Sequence, residues 1–191
     1  MCYRETLIGQ WSRKCWFAFF RFLATRLERS TVPGWELGIW DRDEDIPNRE
    51  TKWTFFWYRR ACTDNPTNIV YLDIQVKPER PDAYLNFRIQ DTLDRRNENR
   101  EQVLTRWSGI REDYGDMIIA EAARMNIPDG EITKPDDPSL PKRFNGEGTM
   151  CFAVVEREKW LGKDNDIVNE NEVVKKLHIY ENVLERCFVG N

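Results

Sequence analysis

Histidine is almost missing from this chain. His178 is the single example in 191 residues, and that scarcity removes most zinc and imidazole-based chemistry. The five cysteines, Cys2, Cys15, Cys62, Cys151 and Cys187, are odd in number and scattered, without a CxxC pair. Such spacing supports neither a disulfide framework nor a metal site, and it fits a reducing, cytoplasmic setting. Cys15 and Cys187 fall on apolar helical stripes, where a thiol acts as a small hydrophobe. Ser12, Ser30, Ser108 and Ser139 all stand outside a GxSxG context, and His178 lies within a helical pattern, so no Ser–His triad is legible. No apolar run approaches the length of a membrane span. The run Cys15–Phe20 resembles a short signal core, but Arg21 interrupts it and no small-residue cleavage site follows.

What the chain does contain is aromatic mass. Eight Trp and ten Phe in a sequence that is 40% hydrophobic and 32% charged mean a core made from few, large side chains. A chain of this length buries about 70% of its extended surface without staples, so residues 1–191 are expected to form one domain. The net charge of −4 is unevenly spread. Residues 1–30 hold Arg4, Arg13, Lys14, Arg21, Arg26 and Arg29 against Glu5 and Glu28, giving +4 and leaving −8 for the remainder. A chain-wide nucleic-acid footprint is excluded, whereas a local one is not. An acidic body is also what an inhibitor of a basic target carries.

Periodicity gives the elements. Residues 1–30 hold a helix over Trp11–Arg29, with Trp16, Phe19, Phe20, Leu23 and Leu27 along it. Residues 35–90 read as an antiparallel sheet of short strands: Trp35–Trp40, Trp53–Arg60, Ile69–Lys77 and Ala83–Gln90. In the third strand Val70, Leu72, Ile74 and Val76 face one way and Tyr71, Asp73, Gln75 and Lys77 the other. The second strand is apolar on both faces, which predicts a central strand covered on both sides. Residues 91–125 predict a helix capped by Asp91 or Thr92, with a kink or break near Gly109 and Gly115. Residues 126–148, with Pro128, Pro135, Pro138 and Pro141, predict a long loop. Residues 149–191 add a fifth strand and a helix that starts at a capping box, Asn169 to Glu172, and carries Val173, Leu177, Tyr180, Leu184 and Phe188 on one side. The fold class is α+β: a four- to five-stranded meander packed by an N-terminal, a long central and a C-terminal helix.

Three sets of residues carry possible chemistry. Asp73, Gln75 and Lys77 share one strand face, where a carboxylate and a lysine hold Mg²⁺ and orient a water in some nucleases. A second acid on a neighbouring strand is not evident, so the alternative is a solvent-facing strand surface. Lys142, Arg143 and Phe144, followed by Gly146 and Gly148, form the most site-like loop, with cations and backbone amides suited to a phosphate. Tyr71, Tyr84, Arg88 and Gln90 on the polar sheet face suit base stacking, or else that face is solvated or covered by the N-terminal helix.

The (D/E)xK-like order Asp73–Gln75–Lys77 resembles half of the PD-(D/E)XK nuclease signature. More broadly, IVYLDIQV with LNFRI, then Arg106-Trp107, PKRFNGEGTMCFAVV and the WLG turn resemble the region C-terminal to the catalytic core in bacterial PD-(D/E)XK nuclease-superfamily proteins. That region shows a "yLqI…L.FkI" pair and a "PkRF…G.tM.va" loop, often in mobile-element or defence settings. The likeness spans about residues 35–188, and it transfers no catalytic residue, because the metal-binding acids of that family lie elsewhere. The resemblance implies a non-catalytic module that binds nucleic acid or a protein of a nuclease-linked system. Lys142, Arg143, Phe144 and Arg88 are its expected contact residues, with no metal or cofactor. The alternatives are a small acidic inhibitor or immunity-type protein, and a degenerate metal-dependent nuclease that would need Mg²⁺.

Overall fold

The computed structural model describes residues 3–28, 35–42, 53–62, 68–76, 83–91, 100–135 and 148–189. Five strands, β1 (Glu36–Arg42), β2 (Trp53–Ala61), β3 (Asn68–Val76), β4 (Leu85–Asp91) and β5 (Gly148–Val155), form one antiparallel sheet in the order β1-β2-β3-β4-β5. The fold is α+β, and the meander has five strands. Cross-strand register aligns the apolar positions: Ile39, Phe56, Ile74 and Leu85 lie in one row, and Leu37, Tyr58, Leu72 and Phe87 in the next. Of these, Phe56, Ile74, Leu85, Tyr58, Leu72 and Phe87 are buried. Each large apolar side chain so enclosed contributes about 1.5–3 kcal/mol.

Three helices pack against that apolar face. Helix α1 (Arg13–Glu28) buries the expected stripe of Trp16, Phe19, Phe20, Leu23 and Leu27, and Phe20 meets Phe56 of β2 at 5.9 Å between ring centres. The N-terminal helix therefore covers the apolar side of the sheet, not the polar side. Helix α2 (Arg100–Arg124) brings Tyr114 edge-on to Phe152 of β5, at 5.8 Å. After the single turn α3 (Arg157–Trp160), α4 (Glu170–Phe188) lays Tyr180 on Phe87 at 6.0 Å. Its stripe is buried as the spacing predicts, and the Asn169 side chain caps it by accepting from the Glu172 amide. No helix among the described residues is long and apolar enough to cross a membrane.

Helix α2 runs unbroken through both glycines, contrary to the expected interruption. Gly115 is there for proximity: a Cβ would stand 3.0 Å from the Phe152 carbonyl oxygen, whereas one at Gly109 would meet nothing. Gly109→Ala is therefore expected to raise stability by about 0.5–1 kcal/mol through helix propensity. In Gly115→Ala the same gain is outweighed by a collision with sheet backbone, so stability falls. Urea denaturation of the two variants side by side checks this, and equal stabilisation would mean that α2 stands further from β5.

The helix ends on a left-handed residue, Asn126 (φ 57°), with the Ile127 amide bonded to the Ala122 carbonyl and the Asn126 amide to that of Ala123. This pair of bonds satisfies carbonyls that a helix end otherwise leaves open. The following segment is not structureless: Thr133 exchanges two backbone hydrogen bonds with Val154, at 2.9 and 2.8 Å, on the outer side of β5. That contact covers part of the outer edge of β5.

Candidate functional site

The opposite face of the sheet follows from the same register. Alternation puts Gly38, Trp57, Asp73 and Asn86 in one row, Glu36, Arg59, Tyr71, Arg88 and Cys151 in the next, and Ile69 with Gln90 in a third. This side is not the open polar surface that alternation suggests, since Asp73 has 0% exposure and Tyr71 8%.

Asp73 is held by two neighbours on β4. Its Oδ1 accepts from Asn86 Nδ2 at 2.7 Å, and its Oδ2 lies 2.7 Å from Arg88 Nε. Burial alone would lower the Arg88 pKa, but the adjacent Asp73 charge prevails and raises it, so the guanidinium stays charged. Cys151 joins the cluster, with Sγ 3.3 Å from the Ala153 carbonyl and 3.7 Å from Asn86 Oδ1. Burial pushes its thiol up from 9.0 to about 12; Arg88 opposes the rise and Asp73 adds to it. A thiol in that state is not a nucleophile at neutral pH. Burial, reinforced by Glu121, likewise pushes Cys187 up to about 12.

The folded pKa values lie above the unfolded one. These thiols therefore contribute their full stability below pH about 9 and lose it as pH rises toward about 12. Cys151 and Cys187 are accordingly expected to resist iodoacetamide at pH 8 in the folded protein and to react once urea is added. Mass spectrometry of the alkylated peptides tests this, and rapid native labelling would contradict it.

Beside this cluster lies a small cavity of about 120 Å³ lined by Trp57, Arg59, Tyr71 and Gln90. Its geometry begins at Gly38. The Trp57 ring crosses that residue so closely that a Cβ there would fall 2.3 Å from the indole Cζ2. The Arg59 guanidinium sits over the same indole, 4.7 Å from the ring centre, and is tethered by Glu36 at 2.9 Å. A cation stacked on tryptophan at a partly exposed site contributes about 0.5–1 kcal/mol. Both partners of the Arg59–Glu36 pair are more than a third exposed, at 38% and 66%, so the salt bridge itself adds little.

Of the residues singled out from the sequence, Asp73 and Arg88 are brought together, but as partners of each other. Lys142, Arg143, Phe144, Lys77 and the Gln75 side chain lie outside the described residues. Tyr84 is 41% exposed just ahead of β4. Trp57 and Arg59 were not among the expected site residues, because an apolar–aromatic strand reads as covered on both sides. Their signal is Gly38 on the neighbouring strand, which leaves room for an indole to lie flat.

A second polar cluster crosses the apolar side. Glu181 of α4, 2% exposed, accepts from Tyr58 Oη at 2.9 Å and lies 3.0 Å from His178 Nδ1, while Glu185 pairs with Arg60 and accepts from Trp35 Nε1 at 3.1 Å. Four helical residues rise about 6 Å and two strand residues about 6.6 Å. Glu181/Glu185 thus match Tyr58/Arg60 along their length. Burial and the Glu181 charge both raise the Tyr58 pKa, keeping the phenol a donor. This ladder pins α4 to β2 and assigns His178 a structural place.

Comparison with known proteins adds no relative: no family model, curated protein or solved structure matches the chain.

Proposed function

We propose that this chain is a non-catalytic module that binds a macromolecule through the sheet face bearing Trp57 and Arg59. The observation that carries the reading is the cavity between Trp57, Arg59, Tyr71 and Gln90, on the face of the sheet opposite the Phe20–Phe56, Tyr180–Phe87 and Tyr114–Phe152 contacts. Tryptophan, tyrosine and arginine are the side chains on which recognition surfaces concentrate their energy. At about 120 Å³ the cavity is well below the roughly 300–1,000 Å³ of cofactor and drug-sized sites. It suits one ring or one side chain projecting from a larger partner.

The Asp73 environment supports binding over hydrolysis. A carboxylate with one oxygen on Arg88 and the other on Asn86 has already neutralised its charge, and a metal would have to displace the guanidinium. The likeness to accessory regions of PD-(D/E)XK proteins favours a nuclease-linked or defence-type setting, and Lys142, Arg143 and Phe144 are further contact candidates.

The test is capture of partner from source-cell extract by the immobilised chain. Trp57→Ala and the double variant Lys142→Ala/Arg143→Ala are each expected to lose capture while melting within a few degrees of wild type. Undiminished capture by Trp57→Ala would reject this face. Cleavage of DNA or RNA that requires Mg²⁺ or Mn²⁺ and disappears in Lys77→Ala would reject the non-catalytic reading.

A further inference from the structure

We infer that the cavity over Trp57 takes a single nucleobase from an unpaired nucleic-acid strand; this rests on the binding role proposed above and names the group that enters. The platform is flat and cationic. Gly38 lets the indole lie against β1, and Arg59 is held over it by Glu36. Unstacked bases are held on aromatic rings and on guanidinium planes, at about 1–3 kcal/mol per base. Gln90 and Tyr71 line the same cavity beside the stacked pair. The volume of about 120 Å³ matches one ring.

Charge sharpens the inference. Among the described residues of this face, Arg59 is paired with Glu36 and Arg88 with Asp73, so these two cations are already matched by carboxylates. Binding should then be driven by the base, with a shallow salt dependence. With about two phosphates engaged, log K against log salt has a slope of about −1.4. A protein partner inserting an aromatic side chain is the competing occupant, and the experiment separates the two.

The full chain is titrated by fluorescence anisotropy with short labelled single-stranded homopolymers of each base. At least one homopolymer is expected to bind, at least tenfold more weakly to Trp57→Ala and to Arg59→Lys. The lysine variant keeps the charge and loses the plane, at a residue exposed enough to leave folding intact. Unchanged affinity in Arg59→Lys, or a steep salt slope, would overturn base stacking in favour of backbone electrostatics. Capture of a protein through Trp57 with no homopolymer bound would overturn the nucleobase and leave the binding role standing. Capture of neither overturns both.

Discussion

Asp73→Ala is expected to lower the unfolding free energy by about 3 kcal/mol, and a second change, Arg88→Met, to recover much of the loss when Asp73 is replaced by leucine instead. Asp73 has no exposure, and both its oxygens are engaged on β4. Removing one member of a buried ion pair costs about 3–5 kcal/mol, because the other charge is left without compensation. The low end applies here, since the Arg88 side chain retains 21% exposure and its orphaned guanidinium still finds water. Replacing both members with apolar groups of similar volume removes the uncompensated charge and is often close to neutral. Urea denaturation of the three proteins reads this directly. A loss below about 1 kcal/mol would mean that the carboxylate is not committed to Arg88, and would return Asp73 to the list of candidate metal ligands. Any loss of activity in Asp73→Ala must accordingly be read beside a melting curve.

Trp160→Ala is expected to cost about 4 kcal/mol. The indole is 2% exposed and touches Trp16 of α1 at 6.4 Å, and its N–H donates to the Ala83 carbonyl at 2.9 Å, just ahead of β4. One side chain thus joins α1, α3 and the entry to β4. Truncation opens a cavity, which alone costs about 3–5 kcal/mol for a large aromatic, and leaves a carbonyl without its donor. Trp160→Phe keeps most of the packing and loses the hydrogen bond, so about 1–2 kcal/mol is expected there. Chemical denaturation checks both, and a drop under about 2 kcal/mol for the alanine variant would show that Trp160 is not a keystone of this junction.

Much of this architecture was legible in the residues. Period-two alternation in Val70–Val76 and Leu85–Ile89 located β3 and β4 and their apolar side, and helical spacing located the buried stripes of α1 and α4. Asn169 and Glu172 marked the start of α4 for a local reason, the side-chain cap. What escaped depends on register and on distant partners. Asp73 looked like a solvent-facing carboxylate because its neighbour Arg88 sits diagonally across a strand pair, and that offset is fixed only when β3 and β4 dock. Glu181 was not singled out from the sequence, because the phenol that satisfies it belongs to β2. Gly115 looked like a weak point in a helix because its tight neighbour is the backbone of β5. Trp57 was read as covered because its strand is apolar on both faces, whereas the missing side chain at Gly38 lets its ring lie flat beside a cavity.

The sheet is wound in chain order, yet its links are unequal in length. Strands β1 to β4 join through short connections, while β5 reaches β4 only after residues 92–147 have been traversed. Closure entropy grows with the span to be closed, so the first four strands can zip up while the slot beside β4 still waits. At high concentration during refolding, a second molecule's β5 competes for that slot, and the product is an exchanged dimer in which the contacts of the exchanged segment are made in trans. Dilute refolding should therefore yield monomer and concentrated refolding a dimer that separates only on unfolding; size-exclusion chromatography after each regime tells whether the late strand is the point of exchange.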